Sequence, residues 1–509
     1  MIHRSRAIGV LAALALAVAP VAAQPGPDLV VHFTPLANLT YQLDCVSGVH
    51  IACSQQNLRA LWDREFLRTA QDSAQLAEWA RIRSRYDNAE VYPAAEQGAP
   101  ALPLEGRADG VYLGERMRVA GFQATSAADY GQRIQLLALA GDAVRLHALV
   151  DYFFPRFDGW WQREAAAAGA PFATRVGELL RDPRIAGRIA EFARFYGVEF
   201  APGETLDFTL LYRPSLVREG TSGQQIGARS VVEFVAGERP EQRMDVVIHE
   251  LCHFLFSRVP RERLATLEAG FVARAAAGDA SVPAAYNLLN EALATTFGNG
   301  IVVRAFMTPA AYDTLLATDR SLYGNPWIDG AAKATLRWIE PWLAQGRAID
   351  DPAFAPRYVA ALDSAFGARL QAPAPYLTRV VAVLDRFDPS PWTAVRRILR
   401  PSTSYTRESA CCDAEMLSDY RSRPALNALV VVLPDNLPAL ADQGVISRAQ
   451  ADSIQARVHA GGGAVYAFRR SPTAFTYVVA APAADRAEAL VRQLAAAPAL
   501  FEGFLPTQP

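Results

Sequence analysis

Apolar residues recur along most of this chain at helical spacing. Over 55–88 the positions Leu58, Leu61, Trp62, Phe66 and Ala70 fall at i, i+3, i+4, i+8 and i+12, as the buried stripe of a helix requires. The segments 130–153 and 172–196 show the same period. The pattern then changes. Residues 206–212 and 228–235 are short runs rich in Val, Phe, Leu and Thr, and the Gly-bearing loop 219–227 between them predicts two strands. Helical spacing returns until about Arg400. Beyond a polar stretch at 401–424, the short apolar runs 429–433, 464–468 and 475–480 alternate with helical 446–458 and 483–496, which predicts a small α+β unit.

No fixed-period repeat is present, so solenoids and propellers are set aside. The expected fold class is mainly α with a small sheet, α+β. A mostly helical region at 24–110 closes with a connector at 93–110, rich in Pro, Gly and Ala. A central domain at 111–400, a linker at 401–424 and a C-terminal unit at 425–509 follow.

With 509 residues the chain is long enough for several domains. Its 50 Lys plus Arg against 52 Asp plus Glu leave a formal charge of -2, without the basic face that a nucleic-acid binder needs. A hydrophobic content of 51% also excludes a disordered chain. At the start, His3, Arg4 and Arg6 precede an apolar run at 8–19 and the small residues Val21-Ala22-Ala23, the layout of a cleavable export signal cut after Ala23. The run is too short for a spanning helix, which takes roughly 20 apolar residues. The expected product is a soluble periplasmic or secreted protein with no membrane attachment after cleavage. Five cysteines leave one thiol over. Cys45 and Cys53 are spaced to close a loop, whereas the adjacent Cys411 and Cys412 are expected to be free or paired elsewhere.

The chemistry concentrates in His249-Glu250-Leu251-Cys252-His253, an HExxH pattern. On a helix, Met244, Val247, Ile248, Leu251 and Leu255 form one apolar stripe, and His249 and His253 project together from the other side, one turn apart. Two imidazoles so placed reach one zinc ion. Glu250 points about 100° away from His249 and stays free to take a proton from a water that the metal activates, then return it to a leaving nitrogen. Cys252 turns toward the apolar stripe and is expected to pack. A catalytic zinc takes three protein ligands and one open position. Glu291, in Leu288-Leu289-Asn290-Glu291-Ala292-Leu293-Ala294, is the expected third, because a carboxylate among apolar neighbours is costly to bury without a cation. Glu262 and Glu268 are poorer substitutes.

The HExxH helix followed by an Asn-Glu-x-x-Ala helix resembles the gluzincin metallopeptidases, which include the thermolysin-like and aminopeptidase N-like families. The resemblance spans about 208–300. It implies zinc ligation by His249, His253 and Glu291, general-base catalysis by Glu250, and a peptide or protein as substrate. Thirty-seven residues separate His253 from Glu291. That interval is longer than usual in those families and implies an inserted helix at about 261–277. Where the thermolysin-like pattern has an Asp supporting a zinc histidine, this chain has Thr295. The aminopeptidase signature that binds a substrate amine has no match, Glu233 being a distant candidate. The strand at 228–235 reads either as an edge that pairs with substrate or as an interior strand. For oxyanion stabilisation Tyr286, Tyr323 and His459 are all available. The aromatic cluster Tyr152, Phe153, Phe154, Trp160 and Trp161 fits core better than cleft. Two rival functions remain, a metal-dependent amide or ester hydrolase and a non-catalytic zinc-containing binding protein.

Overall fold

The computed structural model describes residues 27–50, 53–86, 112–424, 426–471 and 474–506. The expected export signal and the connector at 93–110 lie outside them. Helices dominate and two small mixed sheets complete the fold, so the α+β expectation holds. No described helix is long and apolar enough to cross a membrane.

The first sheet comprises β1 (Asp28–His32), β2 (Thr205–Arg213), β3 (Gly223–Ile226) and β4 (Arg229–Val235), in the order β1-β2-β4-β3. The strand expected at 228–235 is therefore interior. The loop before it folds back as β3, antiparallel, with Gly223 opposite Val232 and Ile226 opposite Arg229. Gly227 makes this tight reversal at φ 55°, a left-handed conformation open to glycine. β1 runs parallel to β2, which draws the N-terminal region into the same sheet as the central residues.

The long helical segments are each divided by a local stop. Residues 55–88 contain helices Gln55–Glu65 and Ala70–Ser84, because Thr69 caps the second and the Asp72 carboxylate accepts in turn from the Thr69 N–H at 2.8 Å. Residues 172–196 fall into Ala166–Arg181 and Pro183–Tyr196, where the Asp182 side chain accepts from the Arg184 N–H and Pro183 begins the new helix. The aromatic cluster is core. Phe153, Trp160 and Trp161 are buried.

The second sheet departs furthest from expectation. It holds β5 (Arg379–Asp385), β6 (Thr403–Ser409), β7 (Asn427–Val432), β8 (Ala464–Ser471), β9 (Ala474–Ala480) and β10 (Gly503–Phe504), ordered β10-β8-β9-β7-β5-β6. The stretch 401–424, expected as a linker, thus carries the edge strand β6 and a short helix, Ser418–Ser422. β5 is hidden in the helical reading because alternate residues face two different cores: Val380, Ala382 and Leu384 join the main core, Val381 and Val383 the smaller one. A parallel strand covered on both faces loses the apolar–polar alternation that announces a strand.

Cys45 pairs with Cys53 as expected. Cys411 and Cys412 are paired with each other rather than elsewhere, and Cys252 is a buried free thiol.

Candidate metal centre

The HExxH helix, Pro240–Ser257, buries Met244, Val247, Ile248, Leu251, Cys252 and Leu255. The predicted apolar stripe is therefore its core face. The next helix, Arg261–Ala276, fills the long interval, and Val282–Thr295 returns carrying Glu291. His249, His253 and Glu291 converge, with one ligand atom from each all within 4.8 Å of one another. The two Nε2 atoms lie 3.0 Å apart, His249 Nε2 is 3.5 Å from Glu291 Oε2, and His253 Nε2 is 3.6 Å from Glu291 Oε1. Tetrahedral ligands about 2.0 to 2.1 Å from zinc stand about 3.3 Å from one another, so the spacing suits such an ion. Glu291 Oε2 is buried and has no hydrogen-bond partner, a costly state that a bound cation relieves. The group can hold a metal ion. Glu262 is exposed and Glu268 accepts a hydrogen bond from the Tyr286 hydroxyl at 2.6 Å, so neither joins it.

Side-chain amides orient both imidazoles. The Asn299 Oδ1 atom lies 3.0 Å from His249 Nδ1, and Asn290 Oδ1 lies 3.1 Å from His253 Nδ1. An amide oxygen only accepts, so each Nδ1 carries the proton and each Nε2 lone pair turns inward. Thr295 is buried but its hydroxyl has no hydrogen-bond partner. Asn299 does the supporting work from one turn farther along, on a π-helical segment, Thr296–Val302. That segment approaches the HExxH helix through Gly298. A Cβ there would sit 2.5 Å from the Asp245 carbonyl oxygen and 2.6 Å from the His249 nitrogen.

Burial governs the charges. It lifts the Glu250 carboxyl to about 7, with the charge of Glu291 adding to the rise and that of His249 opposing it. Burial also works to raise Glu291, but His253, His249 and Arg379 outweigh it and hold the carboxyl down at about 2. On His249, burial is overcome by Glu291 and Glu250 and the pKa is raised. On His253, burial prevails and the pKa is lowered.

A cleft of about 660 Å³ opens over His249 and Glu250. Its walls come from four parts of the chain: Gln55 and Gln56, the 219–223 loop, Tyr323, and Arg396 with Ser402. Of the three candidates for oxyanion stabilisation, Tyr323 is the one at the site. Its ring stacks on His249 with centroids 5.8 Å apart, whereas Tyr286 serves Glu268 and His459 lies on the helix Arg448–Gly461, outside the cleft lining. The edge strand β3 passes directly over the general-base candidate, since a Cβ on Gly223 would strike the Glu250 carboxylate. Glu233 is fully engaged. It accepts from the Tyr41 hydroxyl at 2.8 Å, the Ser54 N–H at 3.1 Å, the Ser54 hydroxyl at 2.5 Å and the Ser222 N–H at 3.0 Å, which leaves it no role in holding a substrate amine.

No family model, no curated protein and no solved structure matches the chain. The site therefore stands on its own geometry. Asn299, Gly298 and Arg396 were not legible as site residues in the sequence. Asn290 adjoins Glu291, and the Gly298-Asn299-Gly300 run hints at a close helix contact, but only folding joins either to a histidine.

Proposed function

We propose that this chain is an exported zinc metallopeptidase of gluzincin type, acting on peptide or protein substrates. The observation that carries the reading is the convergence of His249, His253 and Glu291 into a group that can hold a metal ion, with His249 and the buried Glu250 carboxylate lining a cleft. Zinc, when bound, supplies Lewis acidity and makes an attacking water easier to deprotonate. His249, His253 and Glu291 would hold it. Glu250 takes a proton from the attacking water and delivers it to the amine nitrogen as the carbon–nitrogen bond breaks, so the proton balance closes on one residue. Burial and the charges of Glu291 and Glu250 push the Tyr323 phenol up, so it keeps its proton at neutral pH and can donate to a developing oxyanion. The edge strand β3 favours a peptide over a small ester. It is the end strand of its sheet, its Gly223 lies against Glu250, and an extended peptide pairs with a strand edge through main-chain groups.

The test is elemental analysis of purified protein together with hydrolysis of casein and peptide pools. The expected result is about one zinc per chain, peptide cleavage, and loss of cleavage in Glu250→Gln with zinc retained. Cleavage of esters alone would favour the amide or ester hydrolase. Full zinc occupancy without any hydrolysis would favour the binding protein.

A further inference from the structure

Tyr323 has no helix or strand to fix it. It lies in the connection between helices Pro309–Ala317 and Pro326–Ala344, and Leu322, Tyr323 and Gly324 of that connection line the cleft. A phenol that meets an oxyanion must be held to within about 0.5 Å, which a loose loop does not do. One carboxylate grips this loop. Asp329, buried in the first turn of helix Pro326–Ala344, accepts through Oδ1 from the Leu322 N–H at 2.8 Å and the Tyr323 N–H at 3.3 Å. Its Oδ2 accepts from the Arg320 N–H at 3.1 Å. Both oxygens therefore hold loop backbone, and one of the three donors is the amide of Tyr323 itself. Hydrogen bonds to a charged acceptor are the strong ones, and a helix N-terminus favours the negative charge.

Lys333 completes the grip. It is the only lysine in the chain, and it stands one turn after Asp329. Its Nζ pairs with Asp329 Oδ2 at 2.8 Å and donates to the Thr318 carbonyl at the start of the same loop. A compact ammonium with three donors bridges a carboxylate and a carbonyl in this way, whereas the planar fork of arginine suits a single flat partner. At the far end of the loop the Asn325 amide donates to the Arg400 carbonyl at 2.9 Å, in the turn that brings Pro401 and Ser402 to the cleft. The path so held is not a relaxed one. Arg320 at φ 54° and Arg400 at φ 48° are the two non-glycine residues with positive φ among the described residues, and each sits at one of these ties. Such conformations persist where the surroundings over-determine them, and they collect at functional sites.

We infer that Asp329, braced by Lys333, is a positioning residue for the proposed reaction. It fixes the loop so that the Tyr323 ring stays stacked on His249 and its hydroxyl stays aimed at the developing oxyanion. Neither Asp329 nor Lys333 lines the cleft, so both act through Tyr323 and not on the substrate. The inference rests on the hydrolase reading of the site.

The test is a double-mutant cycle on the full-length, zinc-loaded protein, with kcat and KM measured on a casein-derived peptide that the wild type cleaves. Tyr323→Phe should lower kcat by about 100-fold or more with KM within about threefold, the mark of a lost oxyanion donor. Asp329→Ala should lower kcat by about tenfold or more, again with little change in KM. Combined, the two should be no slower than Tyr323→Phe alone, within about twofold, because residues that act as a unit do not lose independently. Losses that multiply, or a kcat unchanged in either single variant, overturn the inference. Asp329→Asn keeps an acceptor for Leu322 and Tyr323 but gives up the ion pair, so its kcat should fall between, and it replaces Asp329→Ala in the cycle if that variant does not fold. Amide hydrogen exchange read by mass spectrometry needs no substrate. In Asp329→Ala exchange should quicken about tenfold or more across 318–325 and stay as in wild type along the HExxH helix. Unchanged exchange in that loop overturns the clamp whatever the protein cleaves. A wild-type protein that cleaves no peptide overturns the peptidase alone, and quickened exchange then still supports the clamp.

Discussion

Replacing Gly298 by alanine tests whether the second-sphere architecture sets the metal site. The added Cβ would lie 2.5 Å from the Asp245 carbonyl oxygen and 2.6 Å from the His249 backbone nitrogen. Both are backbone atoms of the HExxH helix, so no side chain can swing aside. Ordinary carbon contacts begin near 3.5 Å, and relieving the clash requires the two helices to part by about 0.9 Å. Transmitted to Asn299, that shift would stretch its 3.0 Å contact with His249 to about 3.9 Å, beyond hydrogen-bonding range. Loss of an outer-sphere partner typically weakens metal binding by about 10- to 100-fold, and overpacking of this kind costs about 1 to 3 kcal/mol. Zinc affinity measured by competition with a chromophoric chelator should fall accordingly, with a lower melting temperature of the metal-free protein. Zinc affinity within about twofold of wild type would refute the claim that the π-helical segment positions His249.

Removing the carboxylate ligand should be more severe: Glu291→Ala is expected to purify without stoichiometric zinc, and retention of about one zinc per chain would exclude it as a ligand. In the chelator-treated protein, Glu250 has a folded-state pKa raised from its ordinary 4.5 to about 7, so the folded state holds this proton more tightly than the unfolded chain does. Its stabilising contribution is complete below about pH 4.5 and is lost as pH rises through 7, a loss of order 3 kcal/mol. Metal-free Glu250→Gln should lack that decline, and parallel urea-denaturation profiles for the two proteins from pH 5 to 8 would contradict the burial argument. Glu233→Ala should strip four donors of their shared acceptor and loosen the N-terminal segment from the first sheet. A stability loss of about 2 to 4 kcal/mol is expected, with faster proteolysis near Ser54, and an unchanged cleavage pattern would argue against that clamp.

The sequence alone determined the local order of this protein. The helical period of 240–257 follows from where its apolar residues fall, and the i, i+4 spacing of His249 and His253 places two imidazoles side by side whatever the rest of the chain does. Strands β2 and β4 were legible because their runs of Val, Phe and Leu are short and bounded by turn residues. Glu291 stood out because a carboxylate in an apolar helix demands a reason to be buried. Tertiary structure decided what lies outside such local rules. β4 is interior because the loop before it folded back as β3, and β5 went unread because burial on both faces erased its alternation. The approach of Asn299 to His249 depends on a glycine 49 residues beyond that histidine, and the selection of Tyr323 over Tyr286 and His459 depends on which loop closes over the cleft. Arg396 reaches the cleft only because a parallel sheet returns the chain there. Periodicity reports the face a residue shows its neighbours in sequence, and distance in space is set by packing between elements that no local pattern encodes.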